Sequence, residues 1–217
     1  MIRLDVLPAP QRAMWEHDLP ALPRGLVLYG GTAIALHLGH RQSVDFDFFS
    51  SDPLDRVELR RACPVLAAAK TLQEEPDTLT VVADTGGGPV KLSFFGGIHF
   101  GRVGEPLRVA NGPPIASRID LLGTKLATVT QRVEARDYVD IAALLDSGLT
   151  IDDGVAALLA LYGNQASGLQ SVKTIAWFKD GNLETTLPRA IRDRLVRAAA
   201  AYDPRTVAAP LRSTRLD

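Results

Sequence analysis

Gly30-Gly31-Thr32-Ala33-Ile34-Ala35-Leu36-His37-Leu38-Gly39-His40-Arg41-Gln42-Ser43-Val44-Asp45-Phe46-Asp47-Phe48-Phe49 is the stretch that decides the fold. Its end alternates at period two, as a half-buried strand does. That phase puts Val44, Phe46 and Phe48 on an apolar side and Asp45 and Asp47 on the other. Upstream, residues 25–29 form a short apolar run that ends in two glycines, which predicts a buried strand entering a tight turn. Residues 32–38 then predict a helix, with Ile34 and Leu38 on one face. Strand, glycine turn, helix, strand within twenty-five residues gives an α/β or α+β class with a mixed sheet.

Working outward, four prolines between residues 8 and 23 confine any helix there to about residues 11–18. After the D-x-D strand, Asp52 reads as an N-cap, Pro53 as a first helical residue and Asp55 as part of a capping box, for a helix over 53–62. Residues 65–96 read as strands, including a hairpin across Gly86-Gly87-Gly88, and residues 107–110 as a short further strand. Asn111-Gly112-Pro113-Pro114 is a break. It divides the chain into a core over 1–112 and a helical C-terminal part over 113–217 that ends in a loose tail after Pro204. Helices are expected from Ser117, over 136–146, after the Thr150–Asp153 cap, and over 189–202.

The bulk numbers set limits on function. Apolar residues make up 46% of the 217, enough for a core. Twenty-four basic residues against twenty-five acidic ones give a net charge of −1, so no strongly basic nucleic-acid footprint exists. The lone Cys63 excludes an intramolecular disulfide and reads as a small core residue. No signal peptide or bilayer-length apolar run is present, which points to a cytoplasmic protein with no membrane partner.

Two features carry chemistry. Gly30 and Gly31 let backbone approach a ligand, and the following helix, from Thr32, points free N–H groups at the same spot, a setting that suits phosphate. Asp45 and Asp47, two apart on a strand, point the same way and can converge on Mg²⁺, a hard cation that also takes substrate phosphates. Each has a plainer reading: a Gly-Gly turn is often only a tight turn, and a D-x-D can be a solvated strand face. Their succession, one helix apart beside heavily apolar flanks, favours a site. Arg41, just before the strand, is placed either to contact phosphate or to pair with a carboxylate.

The quoted stretch resembles the first motif of the AbiEii/AbiGii toxin-type nucleotidyltransferases, within the DNA polymerase β-like superfamily. Lys125, Arg132, Arg136-Asp137 and Asp140 resemble that family's later helical motif, and residues 173–184, with Trp177-Phe178, a weaker C-terminal feature. The resemblance implies a nucleotidyltransferase-like mixed sheet with flanking helices. It implies that Gly30, Gly31 and Thr32 hold nucleotide phosphates and that Asp45 and Asp47 bind Mg²⁺. It further implies that Lys125 contacts the triphosphate as a mobile charge and that Asp137 and Asp140 shape the helical side. Asp137 reads equally as a structural residue, Asp140 reads better as one, and Asp120 reads most simply as a helix cap. The implied partners are an NTP, an RNA or protein acceptor, and an antitoxin. Enzymes of this superfamily usually carry a third carboxylate on a later strand. Here that position falls on Ser93, in Val90-Lys91-Leu92-Ser93-Phe94-Phe95, with Asp84 or Glu74 as conceivable stand-ins. A serine hydroxyl neither charges a metal site nor acts as a base near neutral pH. The first alternative is therefore a non-catalytic nucleotide- or partner-binding protein of the same fold; a second is a metal-dependent phosphohydrolase, since two carboxylates and a metal also suit attack by water.

Overall fold

The computed structural model describes residues 2–207 and 213–217, and the chain divides into two compact units. The first comprises residues 1–101, 105–117 and 214–217; the second comprises 102–104 and 118–213. The expected break after Gly112 falls a few residues before the 117/118 division.

In the first unit, α1 (Ala9–His17) precedes β1 (Val27–Tyr29), α2 (Gly30–Leu38) and β2 (Asp45–Phe49). Next come α3 (Arg56–Ala62), the single turn α4 (Pro64–Ala67), β3 (Lys70–Glu75), β4 (Thr78–Asp84) and β5 (Pro89–Phe95). The five strands form one mixed sheet in the order β1-β2-β5-β4-β3. β2 is an interior strand: it pairs antiparallel with the edge strand β1 and parallel with the central strand β5. The expected α+β class with a mixed sheet and flanking helices is the one observed.

The alternation of β2 sorts its side chains as its period requires. Phe46 and Phe48 are wholly buried, with Phe48 stacked on Phe94 at 5.3 Å and Phe46 on Trp15 of α1 at 6.3 Å. Leu59, Cys63 and Leu66 are buried as well. Burial first, then the nearby Asp18 charge, pushes the Cys63 thiol up to about 11, so it stays protonated and acts as a small apolar residue.

Several expectations need correction. Val44 precedes the strand and is half exposed, outside the apolar face. The helix expected over 53–62 begins at Arg56, because Asp55 is its cap and accepts from the N–H of Val57 and Glu58. Asp52 is engaged instead by Arg215, at 2.6 and 3.0 Å. Residues 64–67 are helical rather than extended. Residues 107–110 reduce to a single bridge between Leu107 and Ile115. Of the tail expected to be loose, residues 208–212 lie outside the described residues. Its end, however, is packed: Leu216 is 1% exposed and its N–H donates to Ser51.

The second unit contains α5 (Arg118–Thr128), α6 (Ala135–Asp146), α7 (Ile151–Tyr162), α8 (Gly168–Ile175), the short α9 (Leu183–Thr186) and α10 (Arg189–Ala201). The capping box that starts α7 is formed as expected by Thr150 and Asp153. α5 and α7 approach closely because Gly123 and Gly154 face the partner helix; a Cβ on Gly154 would lie 2.7 Å from Leu122. Asp120 is buried and accepts from the N–H of Val103 and Gly104, tying that loop to α5. Among the described residues no helix is long and apolar enough to cross a membrane.

A buried charge cluster joins α5 to α6. Lys125 is 6% exposed, and Asp137 and Asp140 are fully buried. The Lys125 ammonium donates to Asp137 and lies 2.8 Å from Asp140, and Arg132 donates to Asp137 at 2.9 and 3.2 Å. Burial alone would raise the Asp137 carboxyl. The hydrogen bonds and charges of Arg132 and Lys125 outweigh it and hold the group below the usual carboxylate range.

Two outcomes follow for stability. Gly154→Ala gains about 1 kcal/mol of helix propensity but overpacks a buried contact, at about 1–3 kcal/mol, so urea unfolding will show a net loss. Asp137→Asn breaks a buried pair and lowers stability by about 3–5 kcal/mol at pH 7. Because the folded carboxyl is depressed, its contribution is complete above about pH 4 and is lost as pH falls through the folded value. Below that pH the wild type will lose stability more steeply than Asp137→Asn does.

Candidate functional site

The site in the first unit is built by the turn between β1 and α2 and by the polar face of β2. Gly30 opens α2 at φ +73°, a left-handed conformation that glycine adopts without strain. A Cβ there would lie 2.6 Å from the Asp47 carboxylate. A Cβ on Gly31 would meet the Arg41 guanidinium, and Ser43 Oγ at 3.3 Å. Both glycines are therefore needed for a second reason beyond backbone freedom: they leave room for an acid and a base to lie against the turn. Asp45 and Asp47 share one face of β2, each partly exposed, as the period predicts.

The Thr32 side chain is engaged inside the protein. The residue is 1% exposed, and its hydroxyl bonds Ser43 Oγ at 2.8 Å and the Asp45 carbonyl. It locks the start of β2 to α2, which leaves its backbone N–H at the helix N-terminus as the group able to face a ligand. Arg41 donates to the carbonyl of Gln42 at 2.9 Å while its guanidinium rests over Gly31. His37 is satisfied by the carbonyl of Ala116 at 2.8 Å.

The register across to β5 sets Ser93 beside the D-x-D strand and adds Lys91, whose neighbour strand-by-strand reading did not identify. Asp47 faces Ser93 and Asp45 faces Lys91. Lys91 Nζ lies 3.8 Å from Asp45 Oδ2. The alternation of β5 puts Lys91 and Ser93 on one side, and the parallel pairing in this register brings them beside the carboxylates. Ser93 is 4% exposed. Neither conceivable substitute for a third carboxylate reaches this place. Glu74 sits on β3, two strands from β5, and is held by Arg60 at 2.9 Å and Arg56 at 3.3 Å. Asp84 ends β4 and accepts from the N–H of Gly86 and Gly88 in the hairpin turn. Among the described residues no group of three or more His, Cys, Asp or Glu is arranged to hold a metal ion.

Lys125 and Asp137 belong to the second unit. The structure corrects the picture of Lys125 as a mobile charge: it is pinned between two buried carboxylates. Asp137, with no exposed surface, holds Lys125 and Arg132 in place.

Comparison with known proteins agrees with this architecture. A protein of Aquifex aeolicus (strain VF5), itself uncharacterised, is 29% identical over 161 residues, which is 72% of this chain and 75% of that protein. The structure of MenT4, a nucleotidyltransferase toxin of Mycobacterium tuberculosis, superposes with a TM-score of 0.55 at 15% identity, covering 93% of this chain and 84% of that one. JHP933 of Helicobacter pylori superposes with a TM-score of 0.52 at 19% identity, covering 88% and 86%. At such identities the two structures speak to the fold. The family model for the nucleotidyl transferase AbiEii toxin of type IV toxin–antitoxin systems matches residues 12–209, nearly the whole chain, and the protein belongs to that family.

Proposed function

We propose that the chain is a Mg²⁺-dependent nucleotidyltransferase that moves a nucleotidyl group from an NTP to an RNA or protein acceptor, as the toxin opposed by a partner antitoxin. The observation that carries this is the Asp47 carboxylate resting against Gly30, with Asp45 on the same strand face. The donor set suits the metal: two carboxylates on one strand face offer oxygen ligands to a hard cation that completes its shell with water and phosphate. Asp45 and Asp47 would hold it. When bound, Mg²⁺ supplies positive charge to phosphate oxygens during displacement.

The chain's own residues do the rest. The N–H groups of Gly30, Gly31 and Thr32 at the start of α2 bind phosphate oxygens, helped by the helix dipole. Arg41, over Gly31, adds a fixed charge for the same oxygens. The Thr32 hydroxyl keeps Asp45 in register with that turn. In the reaction a bond forms between the acceptor oxygen and the α-phosphorus, and the bond to the bridging oxygen of the β-phosphate breaks. Pyrophosphate leaves and the acceptor proton passes to water, since Ser93 offers no base. In the helical unit, the buried Lys125 ammonium is held by Asp137 and Asp140, and Asp137 positions both Lys125 and Arg132.

Ser93 favours a second reading, a nucleotide-binding protein of this fold without turnover. The test is transfer of label from each of four α-labelled NTPs to total RNA and to protein with Mg²⁺. Label will move to one acceptor class, and Asp45→Ala or Asp47→Ala will lower transfer at least about 100-fold, as loss of several kcal/mol of metal-borne stabilisation requires. Mg²⁺-dependent NTP binding without transfer would establish the second reading. Phosphate release with no labelled acceptor would make the protein a hydrolase.

A further inference from the structure

Ser93 and Lys91 together change the charge of the site in a definite way. A third carboxylate beside Asp45 and Asp47 would complete the ligand set for two divalent ions. Here a neutral hydroxyl faces Asp47, and an ammonium lies on the same sheet face opposite Asp45. Replacing an acid by a hydroxyl raises the formal charge by one unit, and adding an ammonium raises it by another. The sum equals the charge of one Mg²⁺.

We propose that Lys91 stands in for a second metal ion: the site takes one Mg²⁺ between Asp45 and Asp47 with its NTP, and the Lys91 ammonium binds the triphosphate directly. This rests on the nucleotidyltransferase reading of the D-x-D face.

The surroundings of Lys91 suit the task. Its other neighbour across the sheet is Val82 of β4, which offers no second acid. Its side chain is 44% exposed and that of Asp45 is 30% exposed. An exposed pair at this separation is worth about 1 kcal/mol or less, so the ammonium can turn from Asp45 to a phosphate oxygen at small cost. Lysine suits the role because its compact charge rides on a flexible stem. The Asp45 carboxylate is thereby released for the metal as substrate enters. Ser93, buried beside Asp47, presents a neutral wall where a second cation would need a ligand.

The test counts metal ions in the full chain. Mn²⁺ binding is measured by electron paramagnetic resonance with a saturating NTP analogue that carries a methylene between its α- and β-phosphorus atoms. The wild type will bind one Mn²⁺ per chain, and Lys91→Ala combined with Ser93→Asp will bind two. Lys91→Gln will weaken the analogue about tenfold or more, as loss of a charged hydrogen bond implies, and Lys91→Arg by less. Lys91 is exposed enough that its single variants keep the fold; circular dichroism checks these and the double variant, in which the buried position 93 receives an acid. Two Mn²⁺ in the wild type, one in the double variant, or unchanged analogue affinity in Lys91→Gln overturns the proposal while leaving the parent reading intact. Mn²⁺ binding unaltered by Asp45→Asn and Asp47→Asn overturns the parent reading, and the proposal with it.

Discussion

The close approach of Asp47 to Gly30 is the constraint on which the site depends. A side chain at position 30 would occupy the place of the carboxylate and would also strain a backbone at positive φ. The neighbouring glycine makes room in the same way for Arg41. An acid and a base are thus both set against the first turn of one helix. Thr32 fastens the arrangement from inside, because its buried hydroxyl reaches both Ser43 and the backbone of Asp45. Turn, helix start and strand start are one bonded assembly, and a shift in any of them moves the carboxylates.

The helical unit solves a different problem. Lys125, Asp137 and Asp140 are almost or wholly out of water, and Arg132 joins them from the rim. A charge buried alone would cost several kcal/mol; two acids around one ammonium, with a guanidinium behind, keep the cluster balanced and hydrogen-bonded. The cost of such a cluster is repaid in placement. The ammonium has little freedom, and its position follows from the packing of α5 on α6. The spacing of lysine, arginine and aspartates in the sequence is the imprint of those two helices meeting at one charged point.

Much of this was legible because it is local. The alternation in β2 fixes which side chains face the core, and glycines followed by an apolar helical pattern fix the turn. What escaped was long-range. Asp52 has every local mark of a helix cap, yet Arg215 claims it from across 163 positions and Asp55 takes the cap. Leu216 is buried for the same reason, through contacts no neighbouring residue announces. Lys91 belongs with these. Its phase on β5 was readable, but its pairing with Asp45 depends on a parallel register between strands separated by two helices and two other strands.

Strand β2 serves the core and the site at once, and the two duties reinforce each other. Its inward rings stack on Trp15 and Phe94, and both its edges are hydrogen-bonded, so it has no freedom to slide. A slip of one residue would turn Phe46 and Phe48 to the polar side and bury Asp45 and Asp47, at a cost of several buried rings and two unpaired charges. The register of the carboxylates is therefore enforced by the hydrophobic side of the same strand. Placing the acids on an interior strand rather than on a loop gives the site a stiffness that phosphate chemistry, which depends on the alignment of attacking and leaving oxygens, requires.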